Sequence, residues 1–421
     1  MADQSEIAPN AGRMQAAIET LAQLTTPEQP YTRRSFTPLY RQGREQVARW
    51  MREAGLEGSL DQAANLIGRR PGSDSGLAPI VIGSHTDTVP GGGRFDGIIG
   101  VVAAIEIARR LNEEGMTLNH PLEIIDYLAE EPSEFGLSTI GSRALAGALS
   151  PEHLRLTDPT GRTLAEGIAQ MGGDPERLGE VQRAPGAFAL SLELHIEQGP
   201  VLEEAQIPIG VVTGLVGIQR AQIVLNGEAN HAGTTPMRLR RDALTGAAEV
   251  MLALERLCQA TDGQAVGTVG KISTAPNASN VIAEQVELIA EWRSVDPALL
   301  TNLAARFEEQ IRDIAARRGL HLSYHMLSDT EPVLIPQQVQ RLLLQAAEAL
   351  GLPTHLLPSG AGHDTNHLAV LALAGMVFIP SRGGRSHCPE EWSNIEAIAQ
   401  GTHVLGQALL TFDRQERLSG I

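Results

Sequence analysis

Five side chains able to hold a divalent cation stand beside strand or turn signals in this sequence. They are His85 and Asp96 in "GSHTDTVPGGGRFDG", Glu131 in "AEEP", His195 in "LELHIEQG" and His387 in "GGRSHCPEEW". Neutral imidazoles mixed with carboxylates suit zinc, manganese, cobalt or nickel, whereas an all-oxygen set suits magnesium or calcium. Five ligands crowd a single catalytic ion that must keep an open position, but they serve two ions if one carboxylate bridges. Asp96 is the expected bridge, its glycine-rich turn letting the backbone fold back so that the carboxylate returns toward His85. Asp87, two residues beyond His85, is placed to accept the imidazole's other N–H and fix its tautomer. The adjacent acids of "AEEP" divide the work: Glu131 coordinates, while Glu130 takes a proton from the attacking water and later delivers it to a leaving nitrogen.

The elements that must position these groups alternate. "LAPIVIGSHTD" has the apolar run of a strand buried on both faces, "GIIGVVAAIEIARRLNEEG" the spacing of a helix, and "HPLEIIDYLAEEPSEFG" a second strand ending in acids. Such alternation predicts an α/β domain with a mostly parallel sheet flanked by helices, where sites gather at strand ends. From about Val216 the texture changes to long strands and two helices, "RRDALTGAAEVMLALERLCQA" being one, which suits an α+β domain with a four-stranded sheet. After Pro332 the α/β pattern returns with "QQVQRLLLQAAEALG" and "AGMVFIP". The expected organisation is a discontinuous catalytic domain over 1–215 and 330–421, carrying an inserted domain over 216–329.

Composition narrows the partners. The 421 residues carry 33 Lys plus Arg against 50 Asp plus Glu, a formal charge of -17, which disfavours nonspecific binding to nucleic acid or anionic membranes. A small substrate or a protein partner fits better. Two cysteines, Cys258 and Cys388, are too few for a disulfide framework, and the N-terminal stretch lacks a basic start followed by an apolar segment. A cytoplasmic protein without a membrane span is expected. Cys388 reads as a packing residue rather than a nucleophile, since no base and orienting group accompany it.

With these residues in view, the chain resembles the M20 metallopeptidase family, in its amidase (hydantoinase/carbamoylase) branch of N-carbamoyl-L-amino acid hydrolases, allantoate and ureidoglycolate amidohydrolases and β-ureidopropionases. The carrying segments include "GSHTDTVPGGGRFDG", "AEEPSEFGLSTIGSRALAG", "LELHIEQGPVLE", "NGEANHAGTTPMRLRRDA", "APNASNVIAEQVELIAEWRS", "SGAGHDTNHLA" and "IPSRGGRSHCPEEW", in order along most of the chain. The resemblance implies two divalent ions per subunit, His85, Asp96 and His195 holding one and Asp96, Glu131 and His387 the other, with Glu130 as general base. It implies that the insertion is a dimerisation lid in a homodimer. His231, Asn280 and Arg293 of the lid would contact substrate, with Gln198 a further polar contact. Arg293 offers a planar fork for a carboxylate, and His231 is suited to steady oxyanion charge. His363 and Asp364, on a glycine-rich loop, either line the pocket or cap a turn. His367 and Glu390 lie near these groups with no assigned task.

The activity so implied is hydrolysis of the linear C–N bond of a ureido or N-carbamoyl group on a small acid, most naturally an N-carbamoyl-L-amino acid, by a metal-activated water. An aminoacylase or dipeptidase acting on an ordinary amide is the alternative within the family. A catalytically silent binding protein of the same fold is the alternative outside enzymology. One departure bears on the substrate: where many carbamoylases show Gly and a basic residue after the paired glutamates, this chain runs Glu131-Pro132-Ser133-Glu134-Phe135.

Overall fold

The computed structural model describes residues 7–415. Along the chain the first strands are β1 (Glu57–Leu60), β2 (Leu66–Arg70), β3 (Ile80–His85), β4 (Leu122–Tyr127), β5 (Leu190–Ile196) and β6 (Ile209–Leu215). Then come β7 (Gly217–Asn226), β8 (Ala265–Ala275), β9 (Gln285–Ser294), β10 (His321–Thr330) and the two-residue β11 (Val333–Leu334). The chain closes with β12 (Thr354–Ser359) and β13 (Leu373–Ile379). Two compact units result. One comprises the described residues up to Thr213, Ile335–Leu357 and those from Gly362 on; the other comprises Gly214–Leu334 with Pro358–Ala361.

The first unit is built on a mixed sheet in the order β1-β2-β4-β3-β5-β13-β6. Its centre, β4-β3-β5-β13, is parallel, and its margins are antiparallel. β3 ("IVIGSH") and β5 ("LSLELHI") are buried at every position, as strands covered on both faces must be. The helix Ile98–Glu113 is apolar for most of its length because it packs on β3 and β5 while the helices Ala11–Ala22 and Ile395–Arg414 cover its far side. The mixed sheet thus keeps its parallel strands in the middle, where buried apolar runs announced them. The short marginal strands β1 and β2 lack a periodic signal that separates them from loop.

The second unit is a four-stranded antiparallel sheet, β10-β7-β9-β8, with helices Ala243–Gln259 and Pro297–Arg318. β9 alternates burial residue by residue, turning Val286, Leu288, Ala290 and Trp292 toward Phe307, Leu254 and their neighbours. The buried Trp292 indole N–H finds a partner in Gln219 Oε1 at 2.7 Å. Asp242 and Asp296 cap the two helices through their side chains. Among the described residues no helix is long and apolar enough to cross a membrane.

Candidate metal centre

The four parallel strands all deliver a group of interest at their C-terminal ends. His85 ends β3, Glu130 and Glu131 follow β4, His195 lies at the end of β5, and His387 follows β13. Strand ends in an open sheet are where main-chain groups become free to face a ligand. Three non-glycine residues adopt positive φ there: Ala129 at 50°, Gln198 at 59° and His387 at 55°. Such backbone is held at a cost of order 1–3 kcal/mol where the surroundings require it, and it marks working parts of a fold.

Two triads form around Asp96. Its Oδ1 lies 3.0 Å from His195 Nε2 and 4.0 Å from His85 Nε2, while its Oδ2 lies 3.0 Å from His387 Nε2, itself 3.3 Å from Glu131 Oε1. Within each of the sets His85, Asp96, His195 and Asp96, Glu131, His387 the ligand atoms fall inside 4.8 Å of one another. The Nδ1 atoms of His85 and His195 face main-chain carbonyls, of Asp87 at 3.1 Å and Ile196 at 2.9 Å. A carbonyl only accepts, so Nδ1 carries the proton and Nε2 is the atom turned to the site, the tautomer a metal ligand needs. The donor chemistry and this orientation both fit divalent metal ions.

One detail differs from what the residue pattern led us to expect. The nearer partner of His85 Nδ1 is the main-chain oxygen of Asp87, its carboxylate being 3.5 Å away. The Asp87 carboxylate accepts instead from the N–H groups of Glu130 and Glu131, both at 3.2 Å, and so sets the turn that carries the two acids. The glycines serve the folding back, Gly91 having φ 60°, and closeness as well. Gly97 has φ 67°, and a Cβ there would stand 2.2 Å from His85 Nε2. At Gly93 a Cβ would meet the Glu391 carboxylate at 1.8 Å.

The electrostatics follow from burial and opposed charge. Burial works to raise Asp96, but the hydrogen bonds and opposed charge that His195 and His387 supply when their rings are protonated outweigh it and hold the carboxyl well below its usual range. Burial lifts Glu130 well above its usual range, offset in part by His85 at 3.6 Å and reinforced by Glu131. Glu131 is raised by burial against the hydrogen bond from His387. Hydrogen bonds to Asp96 and Glu131 push the half-exposed His387 up to about 11. His363, 2% exposed with its ring edge-on to His195 at 4.4 Å, is held well below its ordinary value by burial and by His195. A third group, Glu193, His195 and His363, also clusters, but both Glu193 oxygens already accept hydroxyls, from Ser84 and Thr365.

Behind the site Arg44, Asp126, Thr86 and Glu391 carry no signal in the sequence. Arg44 pairs with Asp126 at 3.1 Å, both buried, and Thr86 donates to the same carboxylate, bracing the end of β3. Glu391 accepts from the main chain at Phe95 and Asp96. Gln198 donates from Nε2 to Asp96 Oδ2 at 2.9 Å. Asp364 is fully buried and accepts from Ser142, and His367 lies 3.0 Å from the Thr139 hydroxyl. Cys388 and Cys258 are free thiols, and Glu390 is exposed. Glu134 is ion-paired with Arg34 at 2.6 Å.

The remaining expected residues belong to the second unit. His231 and Asn280 are exposed and adjacent, His231 bridging to Val281 while Ala232 N donates to the Asn280 carbonyl at 3.0 Å. Arg293 pairs with Glu291 and donates from Nη1 to the Gly360 carbonyl at 2.7 Å.

Residues 81–411 match the model of peptidase family M20/M25/M40, and the chain belongs to that family. It is 42% identical over 374 residues to an N-carbamoyl-L-amino acid amidohydrolase of Geobacillus stearothermophilus, covering 89% of this chain and 91% of the relative. It is 34% identical over 414 residues to a ureidoglycolate hydrolase of Arabidopsis thaliana, covering 96% and 87% of the two chains. The crystal structure of an amidase of the hydantoinase/carbamoylase family from Burkholderia multivorans matches with a TM-score of 0.90 at 35% identity, over 97% of this chain and 99% of the other.

Proposed function

We propose that the protein is a metal-dependent amidohydrolase that cleaves the linear C–N bond of a ureido group on a small acid, with an N-carbamoyl-L-amino acid as substrate. The observation that carries this reading is the division of Asp96, one oxygen turned to His195 and His85 and the other to His387 beside Glu131. A bridging carboxylate so divided suits two divalent ions, of zinc, manganese, cobalt or nickel type, with His85 and His195 on one side and Glu131 and His387 on the other. Ions held there supply Lewis-acid polarisation of the ureido carbonyl and lower the pKa of water. Glu130, raised by burial and 3.6 Å from His85, is the group that takes a proton from the attacking water and returns it to the departing nitrogen. From an N-carbamoyl amino acid and water the products are the amino acid, carbon dioxide and ammonia.

Substrate recognition falls to Gln198 and His363 in the first unit and to His231, Asn280 and Arg293 in the second. Arg293 keeps a planar fork suited to the substrate carboxylate, and His231 steadies the oxyanion. The insertion acts as the lid and dimerisation domain of a homodimer, its β8 edge being exposed along much of its length. Two free cysteines and a net acidic charge suit the cytoplasm.

The decisive experiment is a substrate panel on protein stripped of metal and reloaded with single ions. N-carbamoyl-L-amino acids should turn over with ammonia release only after reloading. Turnover restricted to N-acyl amino acids or dipeptides would replace the ureido reading with the aminoacylase or dipeptidase one.

A further inference from the structure

The proposed chemistry leaves one buried acid beside the site without a task. Glu391 is 1% exposed and lies 295 positions along the chain from Asp96. Its Oε1 accepts from the main-chain N–H groups of Phe95 at 2.9 Å and Asp96 at 3.1 Å, and its Oε2 from the Ser386 hydroxyl at 2.9 Å. Ser386 Oγ is also 3.0 Å from Asp96 Oδ2, and it immediately precedes His387. The carboxylate occupies the hollow left by the missing Cβ of Gly93. The turn carrying His387 is closed by Glu391 itself, whose N–H donates to the Cys388 carbonyl at 3.0 Å.

We propose that Glu391 is the positioning residue of the bridging carboxylate. Two consecutive N–H groups converging on one carboxylate oxygen fix the peptide plane on either side of the Phe95 Cα, and with it the direction in which the Asp96 side chain leaves the main chain. The other oxygen, through Ser386, sets the distance between that turn and the one presenting His387. Glu391 therefore governs how the two Asp96 oxygens are apportioned between the triads, although it touches neither ion nor substrate. This inference rests on the dinuclear reading of the centre.

The test uses the full chain, stripped of metal and titrated with Zn²⁺ against a chromophoric chelator, with the visible absorption of the Co²⁺ form as a second readout. Wild type should take up two ions. Glu391→Ala should still bind Zn²⁺ but with about 10–100-fold weaker affinity, the scale of lost outer partners, and with an altered Co²⁺ band. Glu391→Gln should recover most of the loss, because its amide oxygen still accepts the two N–H groups. A folded Glu391→Ala protein with unchanged Zn²⁺ affinity and an unchanged Co²⁺ spectrum overturns the assignment. Uptake of a single ion by wild type overturns the dinuclear reading and this inference with it. Should Glu391→Ala not fold, Ser386→Ala carries the test, with about tenfold weaker binding expected and unchanged binding overturning it.

Discussion

The two triads share Asp96 and differ in their walls. His85, Asp96 and His195 are almost completely buried, each histidine held by a main-chain carbonyl, whereas His387 stands on a loop with its side chain 47% exposed. One half of the centre is fixed by the sheet and the other by a turn. The difference teaches that rigidity and access are supplied by separate parts of the same site. The buried half holds its side chains in place through the sheet and the main-chain carbonyls. The other half reaches solvent through His387, although its Glu131 is as buried as Asp96.

Removing the proton carrier while leaving both walls intact should have the largest effect. Glu130→Gln should lower kcat by roughly 10²–10⁴ with both ions retained, checked by steady-state rates alongside elemental analysis. Unchanged turnover would take Glu130 out of the proton transfer. Cutting the open wall alone should be milder on binding: His387→Ala should retain one ion per chain, with the remaining affinity within about tenfold of wild type. Loss of both ions together would show that the halves are not separable.

The smallest effect uses a histidine whose surroundings are the reverse of His387. Burial, assisted by Arg143, pushes His367 down to about 4, where the acids around His387 push that ring up. His367 is neutral in the folded chain, while the unfolded chain takes up its proton below about 6.5. Stability therefore falls as pH drops from about 6.5 toward 4, by on the order of 3 kcal/mol at the lower limit. Denaturant unfolding of wild type and His367→Gln across that window checks it, and the variant should show the shallower dependence. Equal slopes would mean that His367 does not contribute.

His85, Glu131 and His195 were legible because each sits at or just past a strand that announces itself by an apolar run, and Asp96 and His387 because they stand on glycine-rich turns downstream of such strands. The expectation that Asp96 bridges came from counting ligands, and Asp96 does belong to both clusters. Glu391 and Ser386 were not legible, since their partners are main-chain N–H groups and a carboxylate almost three hundred residues away, which leave no pattern of side-chain types. Asp87 was legible as a supporting acid but not in its direction: local backbone angles turn its carboxylate to the N–H groups of Glu130 and Glu131 rather than fully to His85. The central strands were readable from buried apolar runs, and the margins were not, because β1 and β11 are short and mostly exposed.

β13 pairs in parallel with β5, Leu373 opposite Leu190, after the whole of the second unit has intervened in the chain. During synthesis the ribosome therefore releases His85, Asp96, Glu131 and His195 long before the strand that leads to His387. A nascent chain can assemble the buried triad early. The open one needs His387, which the chain supplies only after β13.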